Sequence, residues 1–161
     1  KQAYITYIRP VLEYASSVWS PHLIKHIDAI ERVQKKFTKR IRTISDHSYP
    51  ERLAALDLEP LELRRLKTDL ILYYKCMNGL VALPYADYFN VSNVISQTRT
   101  GGNRLIQASC STNHFQNDFF NRSVSCWNFL PPHIIATDTV FKFKRLLSTV
   151  DLRRFLKCTY F

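Results

Sequence analysis

One stretch constrains this chain more than any other. From about Leu23 to Ile44, the residues Ile27, Ile30, Val33, Phe37, Ile41 and Ile44 recur at steps of three and four. At roughly 100° per residue they cluster within about 60° of one line. Arg32, Lys35, Lys36, Lys39, Arg40 and Arg42 fall around roughly 190° from that line by the same arithmetic. Such a helix must bury one side against other helices and leave a stripe of six cations facing outward. Asp28 and Glu31 sit only at its N-terminal end.

The neighbouring segments read as more helix. Ala3 to Ser17 carries Ile5, Ile8, Leu12 and Ala15 on one face, with a kink expected at Pro10 because proline donates no backbone hydrogen bond. Tyr4, Tyr7 and Tyr14 read as half-buried packing between helices, and Trp19 and Trp127 as core anchors. Ser48-Tyr49-Pro50-Glu51 has the form of a capped helix start, followed by Leu53 and Leu56. A further helix runs from near Pro60 to Asn78-Gly79, a C-cap pair, with Leu63, Leu66, Leu70, Tyr73 and Met77 as its stripe. Gly101-Gly102 between Ile95–Arg99 and Arg104–Ala108 leaves room for a short β-hairpin. Helix returns over Asn117–Phe129, with Phe119, Phe120, Val124 and Trp127 inward, and over Thr139–Val150, with Phe141, Phe143, Leu146 and Leu147. The fold class expected is mainly α: a small helical bundle over residues 1–47, then a helical region over 48–161. An apolar fraction of 46% with three glycines fits a packed helical chain rather than a disordered one.

Charge separates the ends from the middle. The net charge is +10, and residues 49–100 contain equal numbers of acids and bases, so the surplus lies in the two flanking thirds. A field of that sign attracts polyanions. Catalytic chemistry finds little purchase. Two-metal polymerases and nucleases hold carboxylates close enough to share ions, whereas the aspartates here are scattered one per segment. There is no glycine-rich phosphate loop, no Gly-x-Ser-x-Gly elbow and no His-Glu-x-x-His helix. The four cysteines lack the short spacings of a zinc site, Cys110 with His114 being the nearest approach, and read as reduced thiols. No apolar run approaches the roughly 20 residues of a membrane span. The expected setting is intracellular, cytoplasm and nucleus, with no catalytic residues, no metal and no cofactor of its own.

Several words of the sequence, taken in order, resemble a family. Ile8-Arg9-Pro10-Val11-Leu12-Glu13-Tyr14-Ala15 with Val18-Trp19-Ser20-Pro21 is similar to the stretch after the palm in jockey-like and related LINE-type reverse transcriptases of non-LTR retrotransposons. Ile30-Glu31-Arg32-Val33-Gln34-Lys35-Lys36 is similar to that family's second helix. Tyr49, Glu51-Arg52-Leu53, Leu61-Glu62, Arg64-Arg65, Asp69-Leu70, Tyr74-Lys75 and Asn78-Gly79 continue the likeness. Phe119-Phe120-Asn121-Arg122, Trp127-Asn128, Leu130-Pro131 and Phe143-Lys144 close it, with Lys142 departing from the family's final Ser-Phe-Lys.

The resemblance implies an excised piece of a polyprotein: a reverse-transcriptase thumb over residues 1–47 and the segment after it. The metal-binding aspartates and the Mg2+ they need would belong to the parent RNA-directed DNA polymerase. The expected function is non-catalytic binding of RNA or an RNA–DNA hybrid through Arg32, Lys35, Lys36, Lys39, Arg40 and Arg42. Arg99, Arg104, Arg122, Lys142, Lys144 and Arg145 are further candidates for RNA contact after residue 48. The alternatives are a structural segment packing on the upstream palm domain, and a decayed copy without function.

Overall fold

A computed structural model describes residues 1–82, 105–106, 109 and 111–160. These residues are mainly helical, and they divide into two compact units. The first joins Lys1–Leu66 to Arg153–Phe161, and the second is Lys67–Leu152. The division therefore falls inside a helix, whereas the sequence suggested a boundary after residue 47. The hairpin expected around Gly101-Gly102 lies outside the described residues, as do Arg99 and Arg104.

In the first unit a π-helical turn, Tyr4–Ile8, runs into α1 (Arg9–Glu13), and a short α2 follows (Ser16–Trp19). Proline explains the turn. Pro10 has no N–H to return to Thr6, and the preceding Arg9 N–H reaches back to the carbonyl of Tyr4, five residues earlier. The chain then breaks at Ala15, which adopts left-handed backbone (φ 49°). This rephasing overturns the expected inward face: Ile8 and Ala15 are exposed, and Tyr4 is the buried residue. Trp19 is not a core anchor either, and Tyr7 and Tyr14 are exposed rather than half-buried.

The long helix α3 spans Ile24–Lys39, shorter than the periodicity suggested. Arg40 is its C-cap, Ile41 is extended, and Arg42–Ile44 forms a 3-10 turn. Next comes α4 (Tyr49–Leu56), which opens with the capping box read from the sequence, the Ser48 N–H donating to Glu51 Oε2 at 2.7 Å. It ends at Asp57 in left-handed backbone, φ 47°. Tyr4, Leu53 and Leu58 form the apolar centre of this unit, with Ile5, Phe37, Tyr49 and Leu56 packed around it. Tyr4 stacks on Phe37 at 4.6 Å.

Helix α5 (Leu61–Met77) leads from one unit into the other. It terminates as the Asn78-Gly79 pair predicts: Gly79 has φ 65°, its N–H reaches Cys76 O, and the Leu80 N–H reaches Lys75 O at 2.8 Å. In place of one helix over 117–129, the second unit has α6 (Asn113–Gln116), α7 (Phe119–Arg122) and α8 (Val124–Phe129). Thr112 and Asp118 cap the first two of these with side-chain oxygens, which restarts the helix where one continuous run was expected. Then follow α9 (Pro132–Ile135) and α10 (Val140–Leu147). The core is aromatic: Tyr74 stacks on Phe143 at 4.3 Å, and Trp127 lies 5.8 Å from Tyr73 and 6.1 Å from Phe143. Phe143 and Leu147 are buried as read from the sequence, whereas Phe141 is exposed. The side chain of Asn128 brackets the backbone of Leu105, accepting from its N–H at 2.9 Å and donating to its carbonyl at 2.8 Å.

Residues after Leu152 return to the first unit. Glu62 accepts the backbone N–H groups of Lys157 and Cys158, at 2.8 and 3.2 Å, and Lys157 Nζ donates to His22 O at 2.9 Å. Tyr160 sits edge-on to Tyr49 at 6.0 Å.

Candidate nucleic-acid interface

The six cations divide into two groups. Asp28 holds the first pair, with Lys35 Nζ at 2.7 Å and Arg32 Nη2 at 3.3 Å. The hydrogen bonds from Lys35 and Arg32 lower the carboxyl pKa of Asp28 from its ordinary value. Lys35 is drawn further inward, its ammonium lying 4.9 Å from the ring of Tyr160 and 5.6 Å from that of Tyr49. The second group is Lys36, Lys39, Arg40 and Arg42. All four are exposed, and among the described residues no ion pair engages them. They do not share one helical face. Lys36 and Lys39 lie in the last turn of α3, Arg40 caps it, and Arg42 stands on the 3-10 turn beyond. Four positive side chains thus gather where the α3 carbonyls end, and the negative end of a helix dipole also favours cations. That accounts for part of the clustering without any partner.

The buried side of α3 is not the apolar stripe. Ile27 is buried, but the residues below it are Glu31, Gln34 and Thr38, while Val33 is exposed and Ile30 and Phe37 are half-buried. These polar groups form a network. Gln34 accepts from Tyr4 Oη at 2.7 Å and donates to Tyr49 Oη and Glu59 O, both at 3.0 Å. Glu31 accepts from Tyr49 Oη, from Gln34 Nε2 at 3.3 Å and from the Leu61 N–H at 2.9 Å. Thr38 Oγ1 accepts from Arg52 Nε at 3.2 Å. Burial drives the Glu31 carboxyl pKa up, although its hydrogen bonds and the nearby Arg65 and Lys35 pull the other way. Arg65, also buried, has two terminal nitrogens without a hydrogen-bond partner. No periodicity argument finds this network, because it looks for oil, and the inward positions here are polar.

The candidates beyond residue 48 fare unevenly. Arg122 is consumed internally: its Nε and Nη2 reach the two oxygens of buried Asp69 at 2.9 and 3.1 Å, so it is not presented to a ligand. Lys142 lies 3.1 Å from Asp138. Lys144 and Arg145 are exposed on α10. Burial pushes the Cys126 thiol up to about 12 and raises that of Cys76, which keeps both as unreactive thiols. Among the described residues no three His, Cys, Asp or Glu side chains come together as a metal ion requires. Nor is any described helix long and apolar enough to cross a membrane.

Comparison with protein-family models, with curated proteins and with solved structures returns no match.

Proposed function

We propose that this chain is a non-catalytic nucleic-acid-binding part of an RNA-directed DNA polymerase of the non-LTR retrotransposon type. In this reading it grips template–primer duplex through the end of α3. The observation that carries it is the group Lys36, Lys39, Arg40 and Arg42, exposed together and free of ion pairs. Arg32 and Lys35 would have to give up Asp28 to meet a phosphate, so they contribute less than the sequence suggested. The ordered likeness to the family's motif series supplies the polymerase context, and the catalytic aspartates and their Mg2+ belong upstream in that reading.

The test is binding of the chain to an RNA–DNA hybrid across a salt series. Each phosphate neutralised adds roughly −0.9 to the log–log slope on duplex, so four contacts give about −3.5. The variant Lys36→Glu/Lys39→Glu/Arg40→Glu/Arg42→Glu should flatten that slope and keep its helical circular dichroism. Equal affinity and an equal slope in the variant would reduce these cations to a solvated helix end.

A further inference from the structure

The second unit leaves a phenyl ring in water between two free cations. Sequence periodicity places Phe141 inward beside Phe143 and Leu147, whereas it is 75% exposed, more than any other large apolar side chain described in that unit. The helix that carries it is well anchored. The Thr139 hydroxyl oxygen accepts the Lys142 N–H at 3.2 Å at its start, and Phe143 stacks on Tyr74 at 4.3 Å beneath it. Because Phe143 and Leu147 are buried, the register of α10 decides what faces out. At roughly 100° per residue Phe141 lies between Lys144 and Arg145, about 60° from the first and about 40° from the second. Both follow one turn after it on the same unbroken helix, and all three are exposed.

No acid competes for these cations. The stretch 139–150 contains none. Asp138 before it is bonded to Lys142 at 3.1 Å. Among the described residues no ion pair engages Lys144 or Arg145, and Asp151 after them pairs with neither.

We infer that Phe141, Lys144 and Arg145 bind single-stranded nucleic acid, with one base stacked on the ring and the neighbouring phosphates met by the two cations. A phenyl ring offers any unstacked base a π face, and such stacking strengthens binding whatever the sequence. The dipole of α10 accounts for cations in its last turn, but it gives no reason to leave a ring in water between them. Other occupants match less of the surface. In a duplex the bases already stack on one another and leave no face for the ring. A partner helix or a lipid surface needs a broad apolar stripe. Here the outward neighbours of Phe141 are Lys144, Arg145 and Ser148, and the apolar side of α10 is turned into the core. The site is independent of the duplex grip read at the end of α3, so either can fail alone.

Fluorescence anisotropy of the whole chain tests it, with a short single-stranded RNA of mixed sequence and an oligomer of the same backbone without bases. The neutral variant Lys36→Gln/Lys39→Gln/Arg40→Gln/Arg42→Gln serves as a second background, in which α3 cannot mask the site. Single-strand binding should persist there. In both backgrounds Phe141→Leu, which keeps the apolar bulk and loses the π face, should weaken binding about tenfold. Phe141→Trp should preserve it. Against the oligomer without bases Phe141→Leu should change nothing. Lys144→Gln/Arg145→Gln should flatten the log–log salt slope by about 1.4, at roughly 0.7 per phosphate on a single strand. Circular dichroism should show unchanged helix in all of them, since these side chains are exposed. The inference is overturned if Phe141→Leu binds RNA as tightly as the parent in the α3 variant. An equal loss on the oligomer without bases, or no single-strand binding in the α3 variant, overturns it too. A parent chain that binds the single strand and not the hybrid would refute the α3 reading and leave this one standing.

Discussion

Removing either of two buried charges, Glu31 or Arg65, should have very unequal consequences. Glu31 satisfies three donors: the hydroxyl of Tyr49, the amide of Gln34 and the N–H of Leu61. It also supplies negative charge close to a buried guanidinium. Glu31→Leu strands all of these at once. An orphaned buried donor costs about 1–3 kcal/mol, and breaking a buried charge pair from one side costs about 3–5 kcal/mol in total. The expected loss is about 4 kcal/mol, a large part of the stability of a domain this size. Arg65 is the opposite case, since its two terminal nitrogens have no hydrogen bond to lose. Arg65→Met removes an expensive desolvated charge, keeps much of the volume and leaves Glu31 its three donors. It also takes away one of the positive charges acting on Glu31, so it should cost about 2 kcal/mol, clearly less than Glu31→Leu. The double variant should then be less destabilised than Glu31→Leu alone, because the charge left uncompensated is gone. Urea titration followed by circular dichroism and by tyrosine fluorescence measures all three. Equal losses for Glu31→Leu and Arg65→Met, or strict additivity in the double variant, would refute the claim that Glu31 is the hub of this core.

The same carboxylate sets a pH dependence. Because its folded pKa lies above the ordinary 4.5, the folded state holds the proton more tightly than the unfolded one. Stability should therefore fall as pH rises from about 4.5 through the raised value, and Glu31→Gln should remove that slope relative to the parent chain in melts at successive pH. In the second unit, Arg122→Ala leaves buried Asp69 without its guanidinium and should cost about 3 kcal/mol in chemical unfolding; Asp69→Ala should cost somewhat less, because Arg122 is only half-buried. At Gly79 an added Cβ meets nothing within 4 Å, so Gly79→Ala should lose only the left-handed penalty of about 1 kcal/mol, read as a fall in melting temperature.

Much of the fold was legible because local chemistry decided it. Ser48 with Glu51 starts a helix in isolation, and Asn78-Gly79 ends one, so both signals survive into the structure. The aromatic core residues Tyr73, Trp127 and Phe143 were legible because such large apolar areas have few alternatives to burial. What failed was the assumption that the most apolar face of a helix is its innermost. In α3 the inward positions are Glu31, Gln34 and Thr38, and in α5 they include Arg65 and Asp69. Polar groups can occupy a core when other elements supply partners, and those partners (Tyr49, Arg52, Arg122) lie 14 to 53 residues away in the sequence. The cationic stripe was half legible for a related reason. Its arithmetic assumed a helix continuing to Ile44, while α3 stops at Lys39 and Asp28 ties up its two upper members.

The return of residues 153–161 to the first unit has a consequence for how the chain acquires its structure. The second unit is one uninterrupted stretch of sequence, so it can collapse as soon as it leaves the ribosome. The first cannot be completed until the segment carrying Lys157 arrives, 95 residues after Glu62 and 135 after His22. Contacts of such long separation are slow to form, and in the interval the groups they cover stay open to solvent and to other chains. During synthesis Glu62 and His22 therefore wait uncovered until residues 153–161 have been made, and the first unit is the later of the two to be completed.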